Sequence, residues 1–176
     1  STNPVASKEL TRTITALASI MGLEKIQFDV KNAYPNANMD VDLFVFPPEG
    51  FADLTETNLK GKCLHVKKAL YGSKQAGLLW YHYMIEALKN EGYTQVKSEP
   101  CLLIKKTGSE FTLIIIYVDD GLAFTNNIQK FKSMLDKLKM EVKIVTDNMF
   151  LGILINDDNN NVTYSQEHYI NKLLER

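Results

Sequence analysis

The stretch Ile114–Phe124, Ile-Ile-Ile-Tyr-Val-Asp-Asp-Gly-Leu-Ala-Phe, decides the fold. An apolar run leads up to two adjacent aspartates and a glycine, and a second apolar run leads away from them. The many β-branched residues in the first run favour a buried strand over a helix. Asp120-Gly121 between two such runs is typical of a hairpin turn. The sequence therefore predicts a β-hairpin that carries Asp119 and Asp120 at its tip.

The two aspartates allow two interpretations. An Asp-Gly pair is a common turn signal that needs no ligand. Two neighbouring carboxylates also repel each other, and keeping both ionised beside an apolar sheet is unfavourable unless a cation neutralises them. A divalent metal such as Mg²⁺ would do so. The hairpin alone does not decide between these interpretations.

Composition places the chain among ordinary globular proteins. It has 176 residues, 45% hydrophobic and 23% charged, enough for one domain with a proper core. The formal net charge of −1 argues against a strongly basic nucleic-acid binder as a whole. Cys63 and Cys101 form neither a metal-ligand spacing nor a disulfide framework, which fits a reducing compartment.

Targeting signals are lacking in this sequence. Ser1–Ser7 is polar with no apolar segment after it, and the longest apolar run, Leu113–Val118, is too short to cross a bilayer. We therefore expect an intracellular protein with no membrane partner. Because the chain starts without Met, we also expect it to be a fragment of a longer protein.

Periodicity and turn residues predict alternating helices and strands along the rest of the chain. The predicted helices are Ser7–Met21, Lys74–Asn90, Ile128–Met140 and Gln166–Glu175. The predicted strands are Leu23–Val30, Leu43–Phe46, Lys62–Val66, Cys101–Ile104, Phe111–Val118, Leu122–Thr125, Phe150–Ile155 and Val162–Tyr164. Lys31–Asp42, Ala52–Gly61 and Asn156–Asn161 are predicted to be turns or loops. This order predicts an α+β fold, an antiparallel sheet with helices packed on one face.

Asp29 is a third carboxylate of interest, because it stands near the end of the strand Leu23–Val30. It could simply terminate that strand. If the strand lies beside the hairpin, however, Asp29 meets Asp119 and Asp120 at one edge of the sheet. Three converging carboxylates could hold two divalent cations, as in phosphoryl transfer.

Several segments, in order along nearly the whole chain, resemble the reverse transcriptases of copia-type long-terminal-repeat retrotransposons. Five of them in register make the resemblance specific. The matching segments are Gln27–Tyr34 (Gln-Phe-Asp-Val-Lys-Asn-Ala-Tyr), Pro47-Pro48-Glu49-Gly50-Phe51, Leu70–Ala76 (Leu-Tyr-Gly-Ser-Lys-Gln-Ala) with Leu79-Trp80-Tyr81, Tyr117-Val118-Asp119-Asp120, Phe150-Leu151-Gly152-Ile153, and Ser165-Gln166 with Tyr169-Ile170.

The resemblance implies a two-metal nucleotidyl transfer. Asp29, Asp119 and Asp120 would be the catalytic triad, and together with the backbone carbonyl of Val30 they would bind two Mg²⁺ ions, with Mn²⁺ as a substitute. The substrates would be dNTP and an RNA or DNA template-primer.

Other matching positions imply substrate contacts. Tyr34, Gly72, Lys74 and Gln75 would bind the nucleotide, and Tyr34 would exclude a ribose 2′-hydroxyl. Leu151 and Gly152 would form the primer grip. Each position also has a plainer interpretation: a core aromatic for Tyr34, a solvated helix-start lysine for Lys74, and an ordinary hairpin for the last two. Trp80 and Tyr81 are expected to be core residues.

The resemblance also implies a polymerase palm over residues 1–176, with a C-terminal primer-grip-like hairpin and helix. Fingers would precede it, and a thumb and ribonuclease H would follow, so the fragment alone is expected to polymerise poorly or not at all. The remaining polyprotein modules would be partners, and the full element would work in cytoplasmic virus-like particles.

Three departures from the family pattern stand out: Gly77, Leu78 and the segment Pro35-Asn36-Ala37. The change at Gly77, together with the lack of the fingers region from these residues, leaves a second hypothesis open: a non-catalytic or domesticated remnant that acts as a nucleic-acid or protein interaction module. A different two-metal phosphotransferase on a similar scaffold fits the motifs less well.

Overall fold

The computed structural model describes residues 4–51, 59, 61–158 and 161–175, and within them helices alternate with groups of strands. The helices are α1 (Lys8–Ile20), α2 (Ala33–Asn36), α3 (Ala76–Asn90), α4 (Ile128–Lys137) and α5 (Glu167–Leu174). The strands are β1 (Glu24–Val30), β2 (Asn38–Val45), β3 (Leu64–Lys68), β4 (Thr94–Gln95), β5 (Leu102–Thr107), β6 (Glu110–Tyr117), β7 (Asp120–Thr125), β8 (Val142–Val145), β9 (Met149–Phe150), β10 (Ile153–Asp158) and β11 (Asn161–Ser165).

The main sheet has six strands in the order β4-β5-β6-β7-β1-β8, and every pairing in it is antiparallel. A three-stranded sheet, β11-β10-β9, and a two-stranded sheet, β2-β3, complete the strand pairing. The α+β prediction is confirmed. The order also places β1, with Asp29, directly beside the return strand of the predicted hairpin.

Both faces of the main sheet are covered, since residues 112–116 and 121–125 are buried without alternation. On one face Phe28 contacts Phe131 of α4, with ring centroids 6.0 Å apart. On the other face the Gln27 Nε2 donates a hydrogen bond of 2.6 Å to the Met149 carbonyl of β9. The prediction of cover on one face was therefore incomplete, because it missed the layer made by β9 and β10.

The helix boundaries follow their sequence signals closely. The Ser7 side chain accepts a 3.0 Å hydrogen bond from the Leu10 N–H, which caps α1 where the helix was predicted to begin. Gly22 adopts a φ of 66°, a conformation that glycine enters without penalty, and so ends the same helix. The Tyr164 hydroxyl donates to the Arg12 carbonyl at 2.9 Å and joins α1 to β11.

Some predicted boundaries were wrong. Part of the turn-rich stretch Lys31–Asp42 is strand, because β2 begins at Asn38 and pairs with β3. The predicted strand Phe150–Ile155 is divided by a turn at Leu151–Gly152, and the predicted loop Asn156–Asn161 is partly strand. Strands β4 and β8 were not predicted. The predicted loop Ala52–Gly61 lies mostly outside the described residues.

Gly121 lies inside β7 and not in the hairpin turn. It faces Phe28 across the β1–β7 pair, and a Cβ atom at this position would stand 2.1 Å from the Phe28 Cζ. The sheet therefore needs glycine here so that the Phe28 ring can lie flat over the neighbouring strand.

Candidate active site

The structure places the three predicted carboxylates at the same end of two neighbouring strands. Asp29 and Asp120 are direct partners in the antiparallel pairing of β1 with β7, so their side chains leave the same face of the sheet. The Val30 N–H donates a 2.9 Å hydrogen bond to the Asp119 carbonyl, which ties the hairpin tip to β1. The expectation that the first strand lies beside the hairpin is confirmed.

The hairpin turn is Val118–Asp119, two residues earlier than the Asp-Gly signal indicates. Tyr117 pairs with Asp120, so only two residues form the turn. Val118 has a φ of 55°, a left-handed conformation that β-branched residues rarely adopt. The prediction of a turn at Asp120-Gly121 was wrong because packing against β1, and not turn geometry, requires the glycine.

The carboxylates of Asp29, Asp119 and Asp120 repel one another. Burial, and then the charges of Asp119, Asp29 and Asp147, together raise the pKa of Asp120 from 3.8 to about 6. Burial and then the Asp119 charge raise the pKa of Asp29, whereas Lys143 and Lys31 lower it. A carboxylate whose neighbours are carboxylates gains most from a bound cation.

The donor chemistry of the cluster fits a divalent cation such as Mg²⁺, because all three side chains supply carboxylate oxygens. Among the described residues, no three aspartate, glutamate, histidine or cysteine side chains lie close enough together to form a preformed metal site. A cation at this edge would offset the repulsion that raises the pKa values of Asp29 and Asp120.

An aromatic pair borders the carboxylates. The Tyr34 ring of α2 packs on the Tyr71 ring with centroids 4.2 Å apart and planes tilted by 31°. Partial desolvation raises the pKa of Tyr71, and the charges of Asp119 and Asp29 raise it as well. This side chain therefore lies near the acidic cluster, although more than half of it is exposed. The sequence analysis named Tyr71 within the matching segment Leu70–Ala76 and gave it no role. Its place between Leu70 and Gly72 in a matching motif was the available signal.

The remaining nucleotide-site candidates lie where the chain enters α3. Gly72 has a φ of 89°, Lys74 is exposed, and Gln75 is the N-cap of the helix. The Ser73 Oγ is buried and has no hydrogen-bond partner among the described residues. The roles given to Gly72, Lys74 and Gln75 stay predictions.

The two primer-grip candidates form the turn between β9 and β10. Leu151 and Gly152 have φ angles of 54° and 71°, so the chain reverses sharply here. Together with Tyr117 and Asp120 they line a cavity of about 480 Å³. The structure thus places this turn beside the acidic cluster.

An antiparallel sheet with carboxylates at the adjoining ends of two strands is the arrangement expected of a metal-dependent nucleotidyl transferase. The chain belongs to the family described as "Reverse transcriptase (RNA-dependent DNA polymerase)", whose model matches residues 1–176.

Similar proteins are transposon polyproteins. The chain is 31% identical over 184 residues to the Retrovirus-related Pol polyprotein from transposon TNT 1-94 of Nicotiana tabacum, covering 99% of this chain and 13% of that protein. It is 29% identical over 177 residues to the Retrovirus-related Pol polyprotein from transposon RE1 of Arabidopsis thaliana, covering 99% of this chain and 12% of that protein. It is 33% identical over 116 residues to the Transposon Ty1-MR1 Gag-Pol polyprotein of Saccharomyces cerevisiae, covering 65% and 6%. The chain spans 13% or less of the length of these relatives. The copia-type resemblance is confirmed.

Among the described helices, none combines the length and the apolar character that a membrane crossing requires.

The raised pKa of Asp120 predicts a pH-dependent stability. A carboxyl that binds its proton more tightly in the folded state destabilises the fold increasingly as pH rises from about 4 to 6, and the loss is complete above pH 6. Asp120→Asn should therefore stabilise the metal-free protein at pH 7.5 by about 1–2 kcal/mol, discounted because the group is half exposed.

Thermal melts in EDTA at pH 4 and pH 7.5 check this. The variant should melt about 4 °C above the wild type at pH 7.5 and close to it at pH 4. Asp136→Asn, which removes an exposed charge from α4, is the matched control and should change little at either pH. Equal melting of wild type and Asp120→Asn at pH 7.5 would contradict the prediction.

Proposed function

We propose that this chain is the palm of a copia-type retrotransposon reverse transcriptase, which adds deoxynucleotides to a primer on an RNA or DNA template. The observation that carries the proposal is the pairing of Asp29 with Asp120, with Asp119 tied to β1 through Val30, in a member of the reverse transcriptase family. The remnant hypothesis is not favoured, because all three carboxylates are present and adjacent.

Asp29, Asp119, Asp120 and the Val30 carbonyl would hold two Mg²⁺ ions, or Mn²⁺ in their place. Such ions lower the pKa of the primer hydroxyl and neutralise charge on the leaving pyrophosphate. The chain itself positions the carboxylates, because the β1–β7 register sets their separation before the substrate binds.

The nucleotide would lie between the carboxylates and the start of α3. Tyr34 would press on the sugar at its 2′ position, and Tyr71, stacked on Tyr34, would hold that ring in place. Gly72, Lys74 and Gln75 would lie under the base and the template, where the exposed lysine can contact phosphate.

The primer end would rest on the turn Leu151–Gly152, whose backbone borders the cavity that reaches Asp120. Fingers, thumb and ribonuclease H would be supplied by other parts of a polyprotein, of which residues 1–176 are the palm. We further propose that the full element acts inside the cell, in cytoplasmic virus-like particles, as its likeness to retrotransposon polyproteins suggests.

The test is incorporation of a single dNTP into a primed RNA template by this chain joined to the neighbouring polyprotein segments, with enzyme in excess so that poor processivity does not matter. We expect extension that requires Mg²⁺ or Mn²⁺ and stops in EDTA. Binding of the template-primer without any extension, in metal and at high dNTP, would contradict the polymerase and support the remnant.

The tyrosine pair predicts an effect on sugar selectivity. Tyr71→Ala removes the ring that packs on Tyr34 and frees Tyr34 to move away from the 2′ position. We expect the preference for dNTP over rNTP, measured as the ratio of kcat/KM values, to fall by about tenfold.

Tyr71→Phe keeps the stacked ring and loses only the hydroxyl, so it serves as the matched control. Its selectivity should stay within about twofold of the wild type, since stacking depends on the ring. Equal loss in both variants would show that the hydroxyl, which is hydrogen-bonded to the Ala33 backbone, and not the stacking, determines the selectivity.

A further inference from the structure

The chain has a single tryptophan, Trp80, and its side chain contacts the turn that carries Asp119. Trp80 lies on α3 and is fully buried. Its indole Nε1 donates a 2.6 Å hydrogen bond to the carbonyl oxygen of Val118, in the two-residue turn that carries Asp119. The sequence indicated only a core residue at this position.

The Val118 carbonyl belongs to a backbone conformation that needs support. A β-branched residue with a φ of 55° is strained relative to its ordinary conformations. Such a conformation persists only where surrounding contacts impose it.

Two hydrogen bonds impose this backbone conformation on Val118, because they fix the carbonyl groups of two successive residues. The Trp80 Nε1 holds the carbonyl of Val118, and the Val30 N–H holds the carbonyl of Asp119 at 2.9 Å. The peptide between these carbonyls carries the Asp119 side chain, so its orientation sets the direction in which that carboxylate leaves the backbone.

We infer that Trp80 is a positioning residue for Asp119: its indole N–H keeps the Val118–Asp119 turn in the left-handed form that aims the carboxylate at Asp29 and Asp120. The consequence for catalysis rests on the proposed function. The effect on the turn does not, because it concerns the free protein.

A tryptophan that merely fills space would act through its volume and not through its N–H. Trp80→Phe removes the donor while keeping an aromatic ring in the core. Met84→Ala is the control, because Met84 is also buried on α3, one turn further along, and the substitution removes at least as much side-chain volume as Trp80→Phe.

The readout is amide hydrogen exchange by NMR in the metal-free protein. The Val30 amide reports on the turn, since it bonds to the Asp119 carbonyl, and the Leu23 amide, bonded to Ala18 at 2.9 Å, reports on the rest of the fold. We expect Trp80→Phe to speed exchange at Val30 relative to Leu23 by about tenfold. Met84→Ala should speed both amides alike. A Val30-to-Leu23 ratio that is the same in both variants would overturn the inference.

Val118→Gly provides a rescue that a space-filling role does not predict. Glycine adopts a φ near 55° without strain, so the turn no longer depends on the indole donor. Adding Val118→Gly to Trp80→Phe should return the Val30 exchange ratio to within about threefold of the wild type. A double variant whose ratio stays as high as that of Trp80→Phe would overturn the inference.

Kinetics separate this inference from the proposed function. Trp80→Phe should lower kcat by about 10- to 100-fold with KM for dNTP within about threefold, because a misaimed carboxylate affects the reaction more than binding. A wild type without polymerase activity would refute the proposed function, while the exchange ratio would still decide the role of Trp80. An active wild type with an unchanged kcat in Trp80→Phe would refute the inference alone.

Discussion

Asp119→Asn is expected to lower Mg²⁺-dependent addition of one dNTP to a primed RNA template by about a thousandfold or more. The substitution keeps the size of the side chain and removes its charge. The neighbouring Asp120 cannot replace it, because it opens β7 and is fixed in register with Asp29. Loss of a group that stabilises developing charge typically lowers kcat by two to three orders of magnitude, and a metal ligand acts through that charge.

Controls distinguish this effect from a general loss of charge or fold. Asp136→Asn makes the same change on the exposed side of α4 and should leave the rate within about twofold. Asp119→Asn should melt at or above the wild-type temperature, since it removes a charge that repels Asp29 and Asp120. Combining it with Asp29→Asn should cause little further loss, because ligands of one site act as a unit. A rate for Asp119→Asn within tenfold of the wild type would refute the assignment.

Gly121→Ala is expected to have the largest effect on stability. The added Cβ would lie 2.1 Å from Cζ of Phe28 and 2.4 Å from its Cε1, and that ring is fully buried. Neither the ring nor the paired backbone of β7 can move aside without disturbing the sheet. We expect a destabilisation of about 3 kcal/mol or more, measured by urea unfolding, which is at the upper end of overpacking effects.

Relief of the clash should identify its source. Phe28→Leu alone leaves a gap in the core and should destabilise by about 1–3 kcal/mol. Joined with Gly121→Ala it makes room for the new methyl group, so the pair should lose at least about 1 kcal/mol less than the sum of the single losses. Additive losses would mean that the methyl group meets something other than Phe28.

The sequence predicted the parts of this fold that depend on local pattern. The helix beginning after Ser7 and the apolar strands that flank the tip aspartates follow from periodicity and capping. The juxtaposition of Asp29 and Asp120 required the further assumption that β1 joins the hairpin, which the register confirms. Family resemblance guided attention to those residues, since an isolated aspartate after a strand is an ordinary feature.

Errors arose where distant contacts override local preference. Asp120-Gly121 has the composition of a turn, but the Phe28 ring occupies the space beside the glycine, which lies in a strand. The turn forms instead at Val118, where hydrogen bonds from α3 and β1 stabilise it. Asn38 begins a strand because β3 is available to pair with it. Tyr71 gave no periodic signal, and only the stacking on Tyr34 shows its place beside the carboxylates.

The β1–β7 pairing has a consequence for the order in which the protein folds. Its partners are far apart in the chain, with Glu24 opposite Thr125, so β1 must stay unpaired on this side until roughly a hundred further residues have been synthesised. The hairpin of β6 and β7 is local and can close within microseconds. Insertion of β1 closes a very long loop and is intrinsically slow. The paired carboxylates therefore form late in folding, and a ribosome-bound chain that ends before β7 does not yet have Asp120 opposite Asp29.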